Sequence, residues 1–169
     1  MTKKPSQGSF DMPKITTSED FWNHVTREGS CWIWAGYIDK YGYGRHKAGY
    51  AHRFAYELHT GKMIREGRQI DHLCHHRACI NPAHLRSVTN KQNGENRKGP
   101  NKNNTSGVLG VNWNKRHQKW RAQFKHNRRD IYVGMYDDLA EAEKAIKAAR
   151  NKVFTCNTRD RKKDYGEAA

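Results

Sequence analysis

The sequence predicts an α+β protein made of two small modules, the first braced by a metal ion. Only 35% of its 169 residues are hydrophobic, and its mean hydropathy is −1.12. A chain this polar cannot build one large apolar core, whereas two small modules can fold around limited cores. The pattern changes at 98–106, where Lys, Asn, Gly and Pro occur without apolar periodicity. We therefore predict a first domain at 19–98, a linker at 99–105 and a second domain at 106–155. The flanking segments, 1–18 and 156–169, are polar, and we expect 1–18 to be disordered.

The charge of the chain indicates a polyanionic partner. The formal net charge is +15 and the isoelectric point is about 9.9, which favours nucleic acid over a merely soluble basic protein. We expect no membrane association, because no apolar run approaches ~18 residues and no basic amphipathic helix carries a bulky apolar face. The N-terminus lacks the apolar segment of a signal peptide, so we expect a cytoplasmic protein. Four cysteines in that compartment indicate metal binding or free thiols.

The first domain is predicted to mix short helices and strands. Residues 19–28 read as a helix capped by Ser18, with Phe21, Trp22 and Val25 on one face. Aromatic residues separated by glycines predict a twisted β-hairpin, and these are Trp32, Trp34, Tyr41 and Tyr43. The segment "AHRFAYELHTG" has helical spacing that ends at Gly61, and a short polar helix begins near Thr89.

The second domain is predicted to have three antiparallel strands followed by one helix. The segment 107–136 alternates in short strands, with turns at "NKRHQ" and "HNRRD". The segment "DDLAEAEKAIKAARNKVF" is an amphipathic helix that Asp137 or Asp138 can cap. We expect its buried stripe to be Leu139, Ala142, Ile146, Ala149 and Val153.

Metal-ligating residues are concentrated in "DHLCHHRACINPAHL", residues 71–85, which holds four histidines and two cysteines. Zinc prefers four tetrahedral ligands drawn from thiolate and imidazole. Cys74, Cys79 and His84 are spaced so that one loop can wrap one ion, and Cys31 is the cysteine available upstream. We therefore predict one structural zinc ion on these four residues. The alternative is two buried free cysteines with a surface histidine. For Cys156 we favour a lone free cysteine, packed or exposed, that binds no metal.

Asp71 and His72 follow Ile70 at the predicted end of a short strand. Successive side chains of a strand point in different directions. The imidazole of His72 could activate a water, because its unperturbed pKa lies near neutrality, while Asp71 holds a cation. We expect no catalytic role for His75 and His76, which sit between the zinc cysteines and are interpreted as solvated or DNA-facing.

These residues, "DH" followed by "C-x4-C-x-NPxH" and the polar "NKQNGENR", resemble the HNH, or ββα-metal, endonucleases. The likeness covers about 30–98 and is greatest to the His-Cys box branch and to phage HNH proteins with the same zinc loop. It implies that His72 is the general base, that Asp71 and Asn93 bind one catalytic Mg²⁺ or Mn²⁺, and that Asn81 ties the loop together. It also implies an arginine near the scissile phosphate, for which Arg45 is favoured over Arg53.

The second domain, about residues 104–155, resembles an AP2 DNA-binding domain in "GV-x-W", "KWRAQF", "YVGMY" and "DLAEAEKAIKAA". The resemblance implies a sheet that packs on the helix and lies in the major groove of double-stranded DNA. We interpret Trp113, Phe124 and Val133 as core residues of this domain. Asn112 stands at a position where AP2 domains often have arginine. An asparagine there would favour adenine over guanine. The predicted DNA-binding residues are Asn112, Asn114, Lys115, Arg116, Lys119, Trp120, Arg121, Gln123, Lys125, Arg128, Arg129 and Tyr132.

Together these features predict a metal-dependent DNA endonuclease of the phage homing type that nicks or cleaves its target, as a monomer or a homodimer. The alternative is a non-catalytic zinc-containing DNA-binding regulator. A third possibility is a packaging-associated phage nuclease with little sequence preference.

Overall fold

The computed structural model describes residues 18–47, 49–158 and 160, and its contacts divide the chain into two compact units. Of the described residues, the N-terminal unit comprises 18–47, 49–66 and 70–87, and the C-terminal unit comprises 67–69, 88–158 and 160. Of the segment 1–18, predicted to be disordered, residues 1–17 lie outside the described residues, as does the tail beyond 160, whereas Ser18 is described and begins a helix. The predicted linker, 99–105, lies inside the C-terminal unit and contains neither helix nor strand. The predicted domains, as pieces that fold independently, stay a prediction.

The predicted helix over 19–28 is wrong in its second half. Helix α1 spans Ser18–Trp22, whereas Val25–Glu28 forms strand β1, which pairs antiparallel with β2, Cys31–Trp34. The β-branched Val25 and Thr26 favour a strand. Gly29 has a φ of 57°, so it supplies the left-handed turn that folds β2 back onto β1.

The predicted hairpin of Trp32, Trp34, Tyr41 and Tyr43 is also wrong in its pairing. Trp32 and Trp34 pair with β1, and the two tyrosines lie in the connection that follows. A separate small hairpin is formed by β3, Arg45–His46, and β4, Gly49–Tyr50. The sequence showed extended segments here, but alternation alone does not identify a strand's partner.

Helix α2, Ala51–Thr60, confirms the predicted helix and ends where Gly61 takes the left-handed conformation with φ 63°. Its Ala51 and Ala55 are fully buried against Phe21 and Trp34 in the core of the N-terminal unit. The core is largely aromatic, with the Phe21 and Trp34 rings stacked at 4.9 Å. Small alanines on α2 allow these large rings to approach the helix closely.

Strand β5, Arg68–His72, forms a two-stranded sheet with β6, Leu85–Thr89. The loop between them, residues 73–84, is called the metal-ligand loop, and it ends in a 3-10 turn at Pro82–His84. Helix α3, Asn90–Glu95, follows β6 and confirms the predicted start near Thr89. Thr89 accepts a hydrogen bond from the Gln92 amide, and the Gln92 side chain accepts one from the Thr89 amide. This capping box begins the helix.

The C-terminal unit contains the three predicted strands and the helix. Strands β7, Val111–Asn114, β8, Lys119–His126, and β9, Arg129–Tyr136, form an antiparallel sheet in the order β7-β8-β9. Helix α4, Leu139–Val153, is capped by Asp138, which accepts from the Glu141 amide. Val111, Ala122, Ala142 and Ile146 form the buried core between sheet and helix.

Two core assignments in this unit are wrong. Val153 was expected in the buried stripe of α4 but is 40% exposed, and Arg150 is buried there instead. Arg150 is tolerated there because its Nε donates to Asp160 at 2.8 Å and its Nη1 donates to the Leu109 carbonyl at 2.6 Å. Trp113 is also not core, because it is 38% exposed. Phe124 and Val133 pack against the core as predicted.

The segment after α4 is folded where the structure describes it, although the sequence suggested only a polar tail from residue 156. The buried Glu95 of α3 accepts hydrogen bonds from the backbone amides of Thr155 and Cys156, at 2.9 and 3.3 Å. The neighbouring Asn96 accepts from the amide of Thr158 at 3.2 Å. Within the described ranges, no helix has the length and apolarity that a membrane span requires.

Candidate metal centre and active site

The four predicted zinc ligands lie together in the N-terminal unit. The ligand atoms of Cys31, Cys74, Cys79 and His84 all lie within 4.8 Å of one another. The His84 Nδ1 atom is 3.6 Å from the sulfurs of both Cys31 and Cys79. A tetrahedral ion with Zn–S near 2.3 Å and Zn–N near 2.05 Å would separate sulfur from nitrogen by about 3.6 Å. The donor set and its spacing therefore fit one zinc ion.

Backbone contacts hold the loop against β2. The Trp34 amide donates to the Ala78 carbonyl at 2.9 Å, and the Ile80 amide donates to the Trp32 carbonyl at 2.7 Å. The Asn81 side chain donates to the Ser30 carbonyl at 2.7 Å and accepts from the Ala83 amide at 3.0 Å. It thus connects the residue before Cys31 to the turn that carries His84, which is the geometry of the predicted loop support.

The thiols of this cluster are electrostatically unequal. A hydrogen bond from Cys74 lowers the pKa of Cys79 to about 4, assisted by the backbone amides of Asn81 and Trp32, while burial opposes this shift. The pKa of Cys74 is raised by the same hydrogen bond and by burial, and that of Cys31 is raised mainly by burial. Three thiolates this close need a cation, so metal binding would release protons.

His72 is buried at the end of β5, directly before the metal-ligand loop. Its Nε2 lies 3.0 Å from the Cys79 carbonyl oxygen. A carbonyl oxygen can only accept, so Nε2 carries the proton and the lone pair of the neutral ring is on Nδ1. Burial lowers the pKa of His72, against the raising effect of the Cys79 hydrogen bond. The neutral imidazole needed by a general base is therefore the favoured form near pH 7.

Asp71 has a partner that sequence reasoning missed. Arg86 on β6 donates from Nε and Nη2 to Asp71 Oδ2, at 2.9 and 2.7 Å. The Asp71 side chain is only 8% exposed. A divalent ion at Asp71 would therefore share this carboxylate with a guanidinium. The partner could have been found only from the β5–β6 pairing, because fifteen residues separate the two side chains in sequence.

His52 is a second histidine that sequence reasoning missed. It is buried on α2, and its ring centroid is 4.7 Å from that of His72. The rings of Tyr43 and Tyr50 each lie 5.5 Å from it. Burial, followed by the charges of His72 and Arg53, lowers the pKa of His52 to about 3. Its spacing of three from the buried Ala55 was the available signal, because it places the histidine on the core face of the helix.

The two candidate arginines lie on different elements of the N-terminal unit. Arg45, on β3, is half-buried, and its guanidinium stacks over the Tyr50 ring at 4.3 Å. Arg53 is half-buried on α2. No carboxylate of the described residues lies within ion-pair distance of either guanidinium. The choice between them stays a prediction.

Asn93, the other predicted ligand of the catalytic metal, is on α3. Its side-chain amide donates to the Gln69 side-chain oxygen at 2.5 Å. This contact orients the amide, and it leaves the Asn93 carbonyl oxygen as the atom that could bind a cation. His76 is exposed on the metal-ligand loop, and His75 is half-buried there with a φ of 56°.

Among the twelve predicted DNA-reading residues, those on the sheet face opposite α4 include Asn112, Arg121, Gln123 and Tyr132. Asn112 is the partner of Arg121 across β7 and β8, and Gln123 is the partner of Tyr132 across β8 and β9. The Arg121 guanidinium lies 5.9 Å from the centre of the Tyr132 ring. Trp120 does not share this face, because it packs against the core on the helix side of the sheet.

The remaining predicted positions lie in turns or ion pairs. Lys119 is paired with Asp137 at 2.9 Å, and Lys125 lies 3.9 Å from Asp130. The Asn114 side chain accepts from two amides of the β7–β8 turn, which occupies its oxygen with a structural role. Lys115, Arg116 and Arg128 lie in the turns, and Arg129 is the first residue of β9.

A family model described as HNH endonuclease matches residues 49–95. The matched stretch contains α2, β5, the metal-ligand loop, β6 and α3, and so includes His52, Asp71, His72 and Asn93. It ends before the three-stranded sheet and does not reach Cys31 or Arg45. No curated protein and no solved structure matched the chain.

The match agrees with the predicted resemblance to HNH endonucleases over 49–95, and it supports a nuclease function in general, acting on nucleic acid. Together with the cluster of three cysteines and one histidine, it also supports the use of a metal ion.

Proposed function

We propose that the chain is a metal-dependent DNA endonuclease that hydrolyses phosphodiester bonds with His72 as general base. The observation that carries the proposal is the His72 contact with the Cys79 carbonyl, which sets the tautomer with its lone pair on Nδ1. The contact comes from a residue of the zinc cluster. A zinc ion on Cys79 would thus hold the base in position by bracing the loop, and it would take no part in the reaction.

In this mechanism His72 Nδ1 accepts a proton from water as the water oxygen bonds to phosphorus. The bond from phosphorus to the 3′ oxygen then breaks, that oxygen takes up a proton from solvent water, and His72 Nδ1 later returns its proton to solvent. A Mg²⁺ or Mn²⁺ ion, when bound, supplies positive charge to the scissile phosphate and the leaving oxygen. Asp71 and Asn93 offer the oxygen ligands that such ions prefer. Arg45, with Arg53 as the alternative, contacts the phosphate.

The C-terminal sheet is proposed to position the nuclease on double-stranded DNA. Its three antiparallel strands and single helix, with Arg121, Gln123 and Tyr132 on the outer face, support the resemblance to AP2 domains. A sheet of this size can enter the major groove. We further propose a homing-type nicking or cleaving enzyme of phage origin that acts in the cytoplasm of a host cell.

A second candidate is a zinc-containing DNA-binding regulator without catalysis. The ion pair between Arg86 and Asp71 favours it, because a guanidinium already occupies one oxygen of the carboxylate proposed to bind the catalytic cation. In that case the protein would bind DNA and cut nothing.

Cleavage of supercoiled plasmid and of genomic DNA with Mg²⁺ separates these two functions. The native protein, His72→Ala and the native protein with EDTA are compared, and His59→Ala is the matched control because His59 is an exposed histidine of α2. The endonuclease is supported if the native protein and His59→Ala cut the DNA while His72→Ala and the native protein with EDTA do not. If nothing cuts, the regulator is favoured. Cutting by a His72→Ala protein that retains zinc contradicts the role of the base.

A further inference from the structure

A cleft with a volume of about 440 Å³ lies within the C-terminal unit, between α3, the β8–β9 turn and the end of α4. Phe124 and Phe154 line its floor. Its mouth carries exposed basic side chains, and those used below are Lys91, Arg97, Lys125 and Arg128. We call this the α3 cleft. Its volume is in the range of sites that hold small ligands.

The lining of the α3 cleft has an excess of positive charge. It contains five lysines and arginines and one carboxylate, that of Glu95. Arg150 is neutralised by Asp160, since both side chains are 3% exposed and lie 2.8 Å apart. Lys91 lies 3.8 Å from Glu95, and Lys125 forms only an exposed pair at 3.9 Å. An exposed pair of this kind is weak and leaves the lysine available.

Arg97 and Arg128 supply the charges that the protein does not compensate. In the part of the chain that the structure describes, neither forms an ion pair with a carboxylate. Arg97 donates to the side-chain oxygen of Asn101, which is neutral. Arg128 is in the β8–β9 turn with a φ of 65°, a conformation that costs energy for any residue with a Cβ. Uncompensated guanidiniums at a cleft mouth are suited to bidentate contact with phosphate.

The floor of the α3 cleft determines where an anion can lie. Glu95 Oε1 and His126 Nδ1 are 4.0 Å apart, and both are buried without a hydrogen-bond partner among the described residues. One water molecule, about 2.8 Å from each, would satisfy both atoms. The carboxylate repels anions from the floor. A phosphate would therefore bind at the mouth, on the side of Arg97 and Arg128.

We propose that the α3 cleft binds a phosphate group of a nucleic-acid backbone through Arg97 and Arg128, with Lys91 and Lys125 adding longer-range attraction. The inference rests on the proposed function, because it takes the polyanion to be the substrate nucleic acid. Lys125 and Arg128 are already among the DNA-binding residues predicted from the sequence, and the α3 cleft adds Lys91 and Arg97 to them as lining residues of one site. A free nucleotide or inorganic phosphate offers the same chemistry, so the test includes both.

The test measures binding of the full-length, zinc-loaded protein to duplex DNA by fluorescence anisotropy between 50 and 200 mM salt, without Mg²⁺. The variants are Arg97→Gln and Arg128→Gly; glycine suits the positive φ and so removes the side chain without adding strain. Lys144→Gln is the matched control, because Lys144 is an exposed cation of α4 outside the cleft. Thermal melting of each variant shows that it is folded.

Each cleft variant is expected to weaken binding about fivefold at 150 mM salt. The salt slope, meaning the steepness with which the logarithm of the binding constant falls with the logarithm of the salt concentration, should decrease by about 0.9, which corresponds to the loss of one phosphate contact. The control should change affinity less than twofold with an unchanged slope. Equal slopes for native protein and both cleft variants overturn the proposal. It is also overturned if inorganic phosphate or a mononucleotide shifts the His126 ring resonances at micromolar concentration while the DNA slope stays the same, because the cleft is then a site for small phosphates.

Failure of this proposal is distinguishable from failure of the nuclease proposal. If the native protein cuts DNA but the slopes are equal, only the cleft assignment is wrong. If it cuts nothing but the cleft variants lose slope, the cleft is supported and the regulator is the better function.

Discussion

Replacing Arg86 tests whether Asp71 can bind a cation. The Arg86→Ala variant leaves a carboxylate that is 8% exposed in its side chain without its guanidinium partner. A unit charge about 4 Å away contributes about 4 kcal/mol at an effective dielectric constant of 20. Arg86 itself is 25% exposed, so solvent screens part of that interaction. We therefore expect a loss of about 2–3 kcal/mol in the free energy of unfolding, below the 3–5 kcal/mol of a fully buried pair.

The informative measurement is urea unfolding of zinc-loaded Arg86→Ala with and without 10 mM Mg²⁺. If the ion binds Asp71, it should restore at least about 1 kcal/mol to the variant and add less to the native protein, because the guanidinium no longer competes. The Arg86→Lys variant keeps a charge but loses the bidentate contact. Its stabilisation by Mg²⁺ should therefore lie between those of the native protein and Arg86→Ala. Equal stabilisation of native protein and variant by Mg²⁺ would refute Asp71 as a metal ligand.

Three further outcomes are expected. Cys31→Ser should lower the zinc content and the melting temperature, because the tetrahedral set loses a thiolate, whereas Cys156→Ser should keep its zinc; full zinc content in Cys31→Ser would refute the ligand set. His52→Gln should reduce the loss of stability on acidification. The folded pKa of about 3 lies below the unfolded value near 6.5, so stability is complete above pH 6.5 and falls by up to about 1.4 kcal/mol per unit below it; parallel native and variant curves of unfolding free energy between pH 6.5 and 5 would contradict this. Glu95→Ala should cost about 2–4 kcal/mol in urea unfolding, because it leaves the amides of Thr155 and Cys156 without their acceptor, and a loss below 0.5 kcal/mol would show that water replaces it.

The metal centre could be predicted from sequence because its chemistry is restrictive. Three of its ligands lie within eleven residues of chain, and only one cysteine precedes them. Helix α2 and helix α4 were predicted because their ends carry strong signals, Gly61 after one and Asp138 before the other. Such signals are local, so they can be read without knowing the tertiary structure.

The errors concern partners that only tertiary structure supplies. Val25 continues a helical apolar pattern after Phe21 and Trp22, but the Gly29 turn and pairing with Cys31–Trp34 place it in a strand. Arg150 occupies a buried position because Asp160 compensates its charge. The contacts of His52 with His72 and of Arg86 with Asp71 likewise join separate elements, so neither could be derived from spacing along one helix or strand.

The hydrogen bonds that Glu95 accepts from the amides of Thr155 and Cys156 affect the order in which the chain folds during synthesis. Helix α3 has six residues, too few to be stable alone in water. The residues that satisfy Glu95 lie 60 and 61 positions further along the chain. On a ribosome they emerge only after the whole sheet and helix α4. The helix that carries Asn93 therefore gains these contacts among the last of the fold, and a nascent or truncated chain ending before residue 155 would lack them.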